Sequence, residues 1–293
     1  MLGSWWRQSP GAASSERVLN PVKRFVGVVV IVAVAYGALC ALAYFGQRRV
    51  LYPAPRSGVE PRMDDAVLTR VTAPSGRTVY ALHVPPKQKH GVTIVHFHGN
   101  AEELEQLTPL AWSFRRAGLG FFAVEYPGYG LAKEYAPTED AIYADAEAAL
   151  WHLHNGLGVA SPDVVLQGQS LGSGVAVEMA RRGHGARLVL ISPYTSIADM
   201  AAATLPLLPA RWLVKDRYDN LAKAPGLSLP TLIVHGSDDE VIPFPMGERL
   251  SKAFPTATLY AVKGGHHNDL FVRDGRVIVD RIVEFATAEY GGR

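Results

Sequence analysis

The sequence predicts an α/β domain built on a mostly parallel sheet with helices on both faces, preceded by one N-terminal transmembrane helix. Three observations predict it. An apolar run of 21 residues without a charge, Phe25 to Phe45, lies near the start of the chain. After it, short runs rich in apolar and β-branched residues alternate with longer stretches of helical pattern, as a sheet covered on both faces requires. In a chain of 293 residues, 48% of them hydrophobic, the part beyond the apolar run is long enough to bury a sizeable core.

As a helix rising ~1.5 Å per residue, Phe25–Phe45 spans about 31 Å, the thickness of a hydrocarbon core. Arg17, Lys23 and Arg24 precede it, Arg48 and Arg49 come after it, and Tyr44 sits where an interfacial aromatic belongs. A cleaved signal peptide is the competing reading, because Ala41-Leu42-Ala43 has the small-x-small form of a cleavage site. The long segment before the run and the length of the run itself favour an uncleaved anchor. Cys40 stands after Leu39, where a lipoprotein acceptor needs a small residue. Arg7, Arg17, Lys23 and Arg24 before the run balance Arg48, Arg49, Arg56 and Arg62 after it, so the flanks leave orientation open. The expected organisation is a basic segment over 1–24, a membrane helix over 25–45, a linker over 46–62 that contains Pro53–Pro61, and a domain over 63–293. The expected location is a membrane, crossed once.

Charge and cysteine content exclude several classes of function. The net charge is +2, but residues 1–62 carry eight Lys/Arg against Glu16 and Glu60, a net of +6. Residues 63–293 carry 21 Lys/Arg against 25 Asp/Glu, a net of −4. The basic excess belongs to the membrane end, and the mildly acidic domain is not built to bind nucleic acid. One cysteine permits neither a disulfide framework nor a cysteine-based metal site.

Ala66–Thr72 and Thr78–Val84 read as a hairpin around the Pro74-Ser75-Gly76 turn. Further strands are expected at Val92–His96, Gly120–Val124, Val164–Gln167, Leu188–Ile191, Thr231–His235 and Thr258–Val262. Helices are expected at Glu102–Arg116, Thr138–His154, Leu171–Arg182, Phe244–Phe254 and Arg276–Tyr290. No internal repeat or low-complexity tract interrupts this order.

The strongest chemical signal is Gly168-Gln169-Ser170-Leu171-Gly172, between the strand pattern Asp163–Leu166 and the helix from Leu171. A strand-to-helix turn this tight needs small neighbours, and it lifts the Ser170 hydroxyl to a helix N-terminus that favours negative charge. A glycine-rich turn with an inert serine would carry the same letters, but the strand before it and the helix after it are what the mechanism requires. A serine needs a base oriented by an acid. The expected order Ser, Asp/Glu, His is met by the acidic loop after Thr231–His235 and by Gly264-Gly265-His266-His267-Asn268-Asp269. Spacing leaves Asp238 against Asp239, and His266 against His267, undecided. For the oxyanion, one donor is expected at the Leu171 amide and a second in His96-Phe97-His98-Gly99-Asn100-Ala101, at Asn100. The two histidines of that segment have the spacing of metal ligands on one strand face, but no third ligand is indicated, so neither metal nor cofactor is expected.

These residues resemble a known family. HFHGNA (96–101), EYPGYG (125–130), PTE (137–139), GQSLG (168–172), ISPYTSI (191–197), RYDN (217–220), HGSDDEVIPF (235–244) and GGHHND (264–269) together resemble the serine hydrolases of the α/β-hydrolase fold. The chain is similar, more narrowly, to the membrane-anchored group of alpha/beta-hydrolase-domain proteins that includes protein depalmitoylases and bacterial members, over about residues 48–290. The resemblance implies Asp239 as the acid and His267 as the base beside Ser170. Ala132 and Glu134 stand where relatives usually carry a serine and a glycine, which bears on loop shape rather than on the triad. Thr195–Asn220 reads as a small cap, either lining an acyl pocket or packing on the sheet. The implied activity is hydrolysis of an acyl ester or thioester; the serine nucleophile makes an acyl-enzyme the expected intermediate, and the N-terminal anchor makes the bilayer the expected partner and predicts a preference for acyl chains presented at a membrane. The alternatives are a serine peptidase acting on short peptides and a non-catalytic interaction protein. The intact elbow, acid and base argue against the second of these, and no carboxylate pair to hold a free amine can be read for the first.

Overall fold

Strands that alternate with helices have to be covered on both faces, and the computed structural model, which describes residues 21–288, has that arrangement. The chain divides into two units, one ending at Ala43 and one from Tyr44 onward. Helix α1 (Pro21–Leu51) is long and apolar enough to cross a membrane, and none of its residues is buried in protein. Arg7 and Arg17, and the expected end of the last helix at Tyr290, lie outside the described residues.

The second unit begins with the hairpin β1 (Val67–Thr72) and β2 (Thr78–Val84). It continues with β3 (Thr93–Phe97), α2 (Thr108–Arg116), β4 (Gly120–Val124), α3 (Glu139–Asn155), β5 (Val164–Gln169), α4 (Leu171–Arg181) and β6 (Arg187–Ile191). Three short helices come next: α5 (Ile197–Thr204) and α6 (Ala210–Leu213) in the stretch read as a cap, and α7 (Asn220–Lys223) where that stretch ends. Then come β7 (Thr231–Gly236), α8 (Phe244–Ala253), β8 (Ala257–Val262) and α9 (Leu270–Thr287). The strands form one sheet in the order β1-β2-β4-β3-β5-β6-β7-β8. β1 and β2 run antiparallel, and every pairing from β4 to β8 is parallel. This is the α/β-hydrolase fold. The order reverses beside β3, so the carboxyl ends of β3 and β5 open onto the crevice where α/β proteins hold their ligands.

β3 and β4 are buried at every residue, as parallel strands under helices must be. One face packs Phe97, Phe122 and Leu166 against Ile142 of α3, Val175 of α4 and Leu250 of α8. The other packs Ile94, Phe121 and Val165 against Phe114 of α2 and Ile278 and Ile282 of α9.

Two helices differ from expectation for identifiable reasons. The stretch expected as one helix over Glu102–Arg116 opens with a separate 3₁₀ turn, Leu104–Leu107, before α2. Pro109 stands in the first turn of α2; deeper in a continuous helix it would clash with the carbonyl four residues back and lack an amide to donate. The final helix begins at Leu270, six positions ahead of the expected Arg276, and passes a non-helical Asp274 (φ −123°, ψ 17°). Gly275, a poor helix former, conceals that continuation in the sequence. The stretch read as a linker also differs. It is helical through Leu51, and beyond that its chain is fastened. Tyr52 is buried with its hydroxyl 3.1 Å from that of Tyr218, the Gly130 amide donates to Pro55 O (2.9 Å), and the Ser57 amide donates to Glu103 Oε2 (3.2 Å).

α4 is buried from Leu171 to Ala180, and its last turns carry the carboxylate of Glu178 inside the protein. Burial works against that charge, yet hydrogen bonds from Arg181, Lys223 and Arg182 outweigh it and hold the Glu178 pKa at about 2, against an ordinary 4.5. A depressed carboxylate pKa contributes stability above the unfolded value, and this is lost as pH falls from about 4.5 toward 2. Glu178→Gln is therefore expected to destabilise the protein by about 2 kcal/mol at neutral pH, the scale of hydrogen bonds to a charged group. The deficit should shrink when urea unfolding is repeated at successively lower pH. A deficit that stays constant down to the acid limit would mean that the charge contributes nothing.

Candidate active site

β5 ends at Gln169, and Ser170 is the turn into α4. Its backbone sits at φ 50°, ψ −117°, a region a non-glycine residue occupies only when its surroundings force it. Two contacts do so. The Ser170 amide donates to Ile191 O of β6 (2.9 Å), and the Ser173 amide donates back to Ser170 O (3.0 Å). The flanking glycines serve proximity rather than positive φ. A Cβ on Gly172 would collide with the carbonyls of Phe97 and His98, and one on Gly168 would collide with Gly172 O. The turn is thus pressed against the end of β3, which brings the 96–101 segment to Ser170.

β7 and β8 supply the rest. Ser170 Oγ lies 3.1 Å from His267 Nε2, and His267 Nδ1 lies 2.8 Å from Asp239 Oδ2 and 3.1 Å from Oδ1. The Asp239 side chain is fully buried. Burial pushes its pKa up, but hydrogen bonding to His235 and His267 and the Ile242 amide outweigh burial and hold the carboxyl well below the ordinary range. Oδ1 accepts from the Val241 (3.0 Å) and Ile242 (2.7 Å) amides, which fixes the carboxylate in the turn after β7. A carboxylate only accepts, so His267 Nδ1 carries the proton and Nε2 turns its lone pair to the Ser170 hydroxyl.

The neighbours point elsewhere. Asp238 is exposed and accepts from Ser237 Oγ (2.8 Å). His266 is exposed, with Nδ1 3.1 Å from Glu240 Oε2, and that hydrogen bond raises its pKa. Of the two undecided pairs, the fold brings Asp239 and His267 to Ser170 and leaves Asp238 and His266 at the surface.

Leu171 and Asn100, the expected oxyanion donors, both come close to Ser170. Leu171 opens α4 directly after it. Asn100 stands next to Gly99, where a Cβ would lie 3.8 Å from that of Ser170. Among the described residues neither the Leu171 nor the Asn100 amide has an acceptor in the protein. The loop that presents Asn100 is held by groups that spacing does not reveal. The Gly99 amide donates to Glu102 Oε2 (2.7 Å), the Asn100 side chain donates to Leu51 O (3.3 Å), and Tyr126 Oη donates to His98 O (3.0 Å) while its ring stacks on His98 at 3.9 Å. Glu125 is buried beneath, its Oε2 accepting from the Leu104 and Leu131 amides. The EYPGYG motif contains Glu125 and Tyr126 but does not state their roles. His96 Nδ1 is engaged with Gln167 Nε2 (2.9 Å), and burial lowers its pKa to about 3, so it is a neutral packing residue. Among the described residues no group of three His, Cys, Asp or Glu side chains could hold a metal ion.

Known proteins share this fold and parts of this sequence. A family model described as "Serine aminopeptidase, S33" matches residues 88–221. An uncharacterised protein of Mycobacterium tuberculosis is 33% identical over 272 residues, covering 90% of this chain and 95% of that one. Human alpha/beta hydrolase domain-containing protein 17B is 32% identical over 233 residues, covering 77% of this chain and 78% of that one. An esterase of Pyrococcus furiosus superposes with a TM-score of 0.64 at 15% identity, covering 79% of this chain and 95% of that one, a likeness of fold.

Proposed function

This chain belongs to the alpha/beta hydrolase domain-containing proteins, serine-hydrolase-type enzymes of the α/β-hydrolase fold, and on that premise we propose that it is a membrane-anchored esterase or thioesterase working through Ser170, His267 and Asp239. The observation that carries the reading is the continuous chain of contacts from Ser170 Oγ through both nitrogens of His267 to the buried Asp239 carboxylate.

In this mechanism His267 Nε2 takes the Ser170 proton as Oγ bonds to the acyl carbon. The carbonyl oxygen becomes an oxyanion, and the Leu171 and Asn100 amides are the donors that receive it. Asp239 stabilises the imidazolium and fixes its tautomer. His267 then returns the proton to the departing alcohol or thiol as its bond to the acyl carbon breaks. Water, deprotonated by the same nitrogen, hydrolyses the acyl-enzyme and frees Ser170. Phe25–Phe45, uncharged and within a helix long enough to span, holds the enzyme at a bilayer.

The test is a matched panel of acyl esters, acyl thioesters and peptide amides on the full-length protein, with acyl-enzyme trapping by mass spectrometry on the peptide containing Ser170. Ester or thioester turnover with a Ser170 adduct is expected. Peptide amides turned over faster than either acyl class would replace this reading with a peptidase.

A further inference from the structure

The last turns of α1 are tied to one stretch of the cap. Gln47 Nε2 donates to Leu213 O (3.0 Å), and the Lys215 amide donates to Gln47 Oε1 (2.8 Å). Arg48 grips the buried Asp216 with two hydrogen bonds, 2.7 and 3.0 Å, and Asp216 also accepts from the Glu139 amide (3.1 Å). The Lys215 ammonium lies 3.9 Å from the centre of the Tyr44 ring. With the Tyr52–Tyr218 contact added, Leu213–Tyr218 is clamped along Tyr44–Tyr52. Such a clamp is more than a tether requires.

Immediately before the clamped stretch, the cap turns large apolar side chains outward. Trp212 is 89% exposed, Leu207 86% and Leu205 45%. Phe45, on the clamped end of α1, is also exposed, and Arg211, Lys215 and Arg217 bring three cations to the same stretch of chain. Arg211 is partly engaged with Asp199 at 2.9 Å. A tryptophan with leucines and cations beside it is what an interfacial membrane surface uses: the ring sits at headgroup level and the cations meet anionic lipid. Covalent continuity fixes the depth. Gln47 stands two residues past the end of the apolar run, about 3 Å of helix rise. If Phe25–Phe45 spans the bilayer, Gln47 is at its surface, and so are Leu213, which it holds, and Trp212 beside it.

We propose that the Leu205–Trp212 tip of the cap docks into the headgroup layer of an anionic bilayer. The proposal rests on the anchored-hydrolase reading above and goes beyond it by naming the second membrane contact. α5 leaves the carboxyl end of β6, next to the end of β5 that carries Ser170, so a cap seated in lipid brings acyl chains to the nucleophile without release into water.

The experiment uses the full-length protein with Trp5, Trp6, Trp112 and Trp151 each changed to Phe, leaving Trp212 as the sole tryptophan. It is reconstituted in phosphatidylcholine–phosphatidylglycerol vesicles whose acyl chains carry bromine or do not. Emission from Trp212 is expected to fall by about twofold or more in the brominated vesicles, because a docked interfacial face reaches the acyl boundary. In parallel, Leu207→Asp with Trp212→Asp should lower turnover of a vesicle-embedded acyl ester about tenfold and leave a water-soluble short-chain ester within about twofold, since only the membrane route is lost. Protein that floats with vesicles while Trp212 stays unquenched overturns the proposal and leaves the anchor standing. Protein that does not float overturns the anchor and the proposal together. Equal effects of the double variant on both esters also overturn it, because the two residues then act on the enzyme rather than through lipid.

Discussion

Ser170→Ala is expected to abolish covalent labelling by a fluorophosphonate and to lower turnover by roughly 10⁴- to 10⁶-fold, the range for removing the nucleophile of a triad. Only Oγ is lost. The contacts that hold the turn are made by backbone groups, the Ser170 amide to Ile191 O and the Ser170 carbonyl from the Ser173 amide. The unusual φ of 50° therefore persists in the variant, and alanine is relieved of a hydroxyl beside an imidazole. Thermal unfolding should shift by no more than a few degrees, which separates lost chemistry from lost fold. The turnover that remains over water should reflect the Leu171 and Asn100 amides and substrate positioning alone. Labelling that persists in the folded variant would place the nucleophile on another side chain.

The elbow was legible because every requirement for it is local. A buried strand, two glycines two residues from a serine and a helix start lie within one stretch, and the Cβ positions of Gly168 and Gly172 show why nothing larger fits. The parallel strands were legible for a similar reason, since β3 and β4 are mostly apolar and bounded by turn residues. The features that escaped the sequence depend on partners far along the chain. Gln47 and Arg48 look like any polar and basic flank of an apolar run, and only Leu213, Lys215 and Asp216, more than 160 positions away, make them a clamp. The early start of α9 was hidden by Gly275 and Asp274, whose local preferences oppose a helix that packing of Leu270 and Ile278 nevertheless sustains.

The acid and base show the same division in miniature. Two aspartates in sequence, and two histidines in sequence, have identical propensities; which of each turns inward depends on how the strand before it ends. After β7, a turn closed by Asp239 accepting from the Val241 and Ile242 amides leaves Asp238 outside. After β8, the His266 amide donates to Asp269 Oδ1 (2.7 Å), which turns the next residue toward the nucleophile. The two residues that these turns direct to Ser170 are the ones the family resemblance implies as acid and base.

That geometry sets the second large expected effect. His267→Ala and Asp239→Asn should each lower turnover by roughly 10³- to 10⁶-fold, whereas His266→Ala and Asp238→Asn should stay within about threefold of the parent. Asparagine at 239 keeps the shape and loses the charge, and its amide can hold the imidazole in the wrong tautomer, with a proton on Nε2 facing Ser170. The pH profile distinguishes the two roles. Despite burial, the hydrogen bonds on Asp239 hold its carboxyl well below its ordinary 3.8, so it remains ionised in the native enzyme well into acid. Its contribution to stability is complete above that value and is lost only as pH falls below it. A general base must carry a free lone pair to take the Ser170 proton, so the acid-side loss of activity should precede any loss of structure. Activity measured from neutral pH downward alongside near-ultraviolet circular dichroism should fall while the dichroism is unchanged. If activity and structure are lost together, or if His266 and Asp238 prove to be the sensitive pair in folded protein, the assignment of acid and base is wrong.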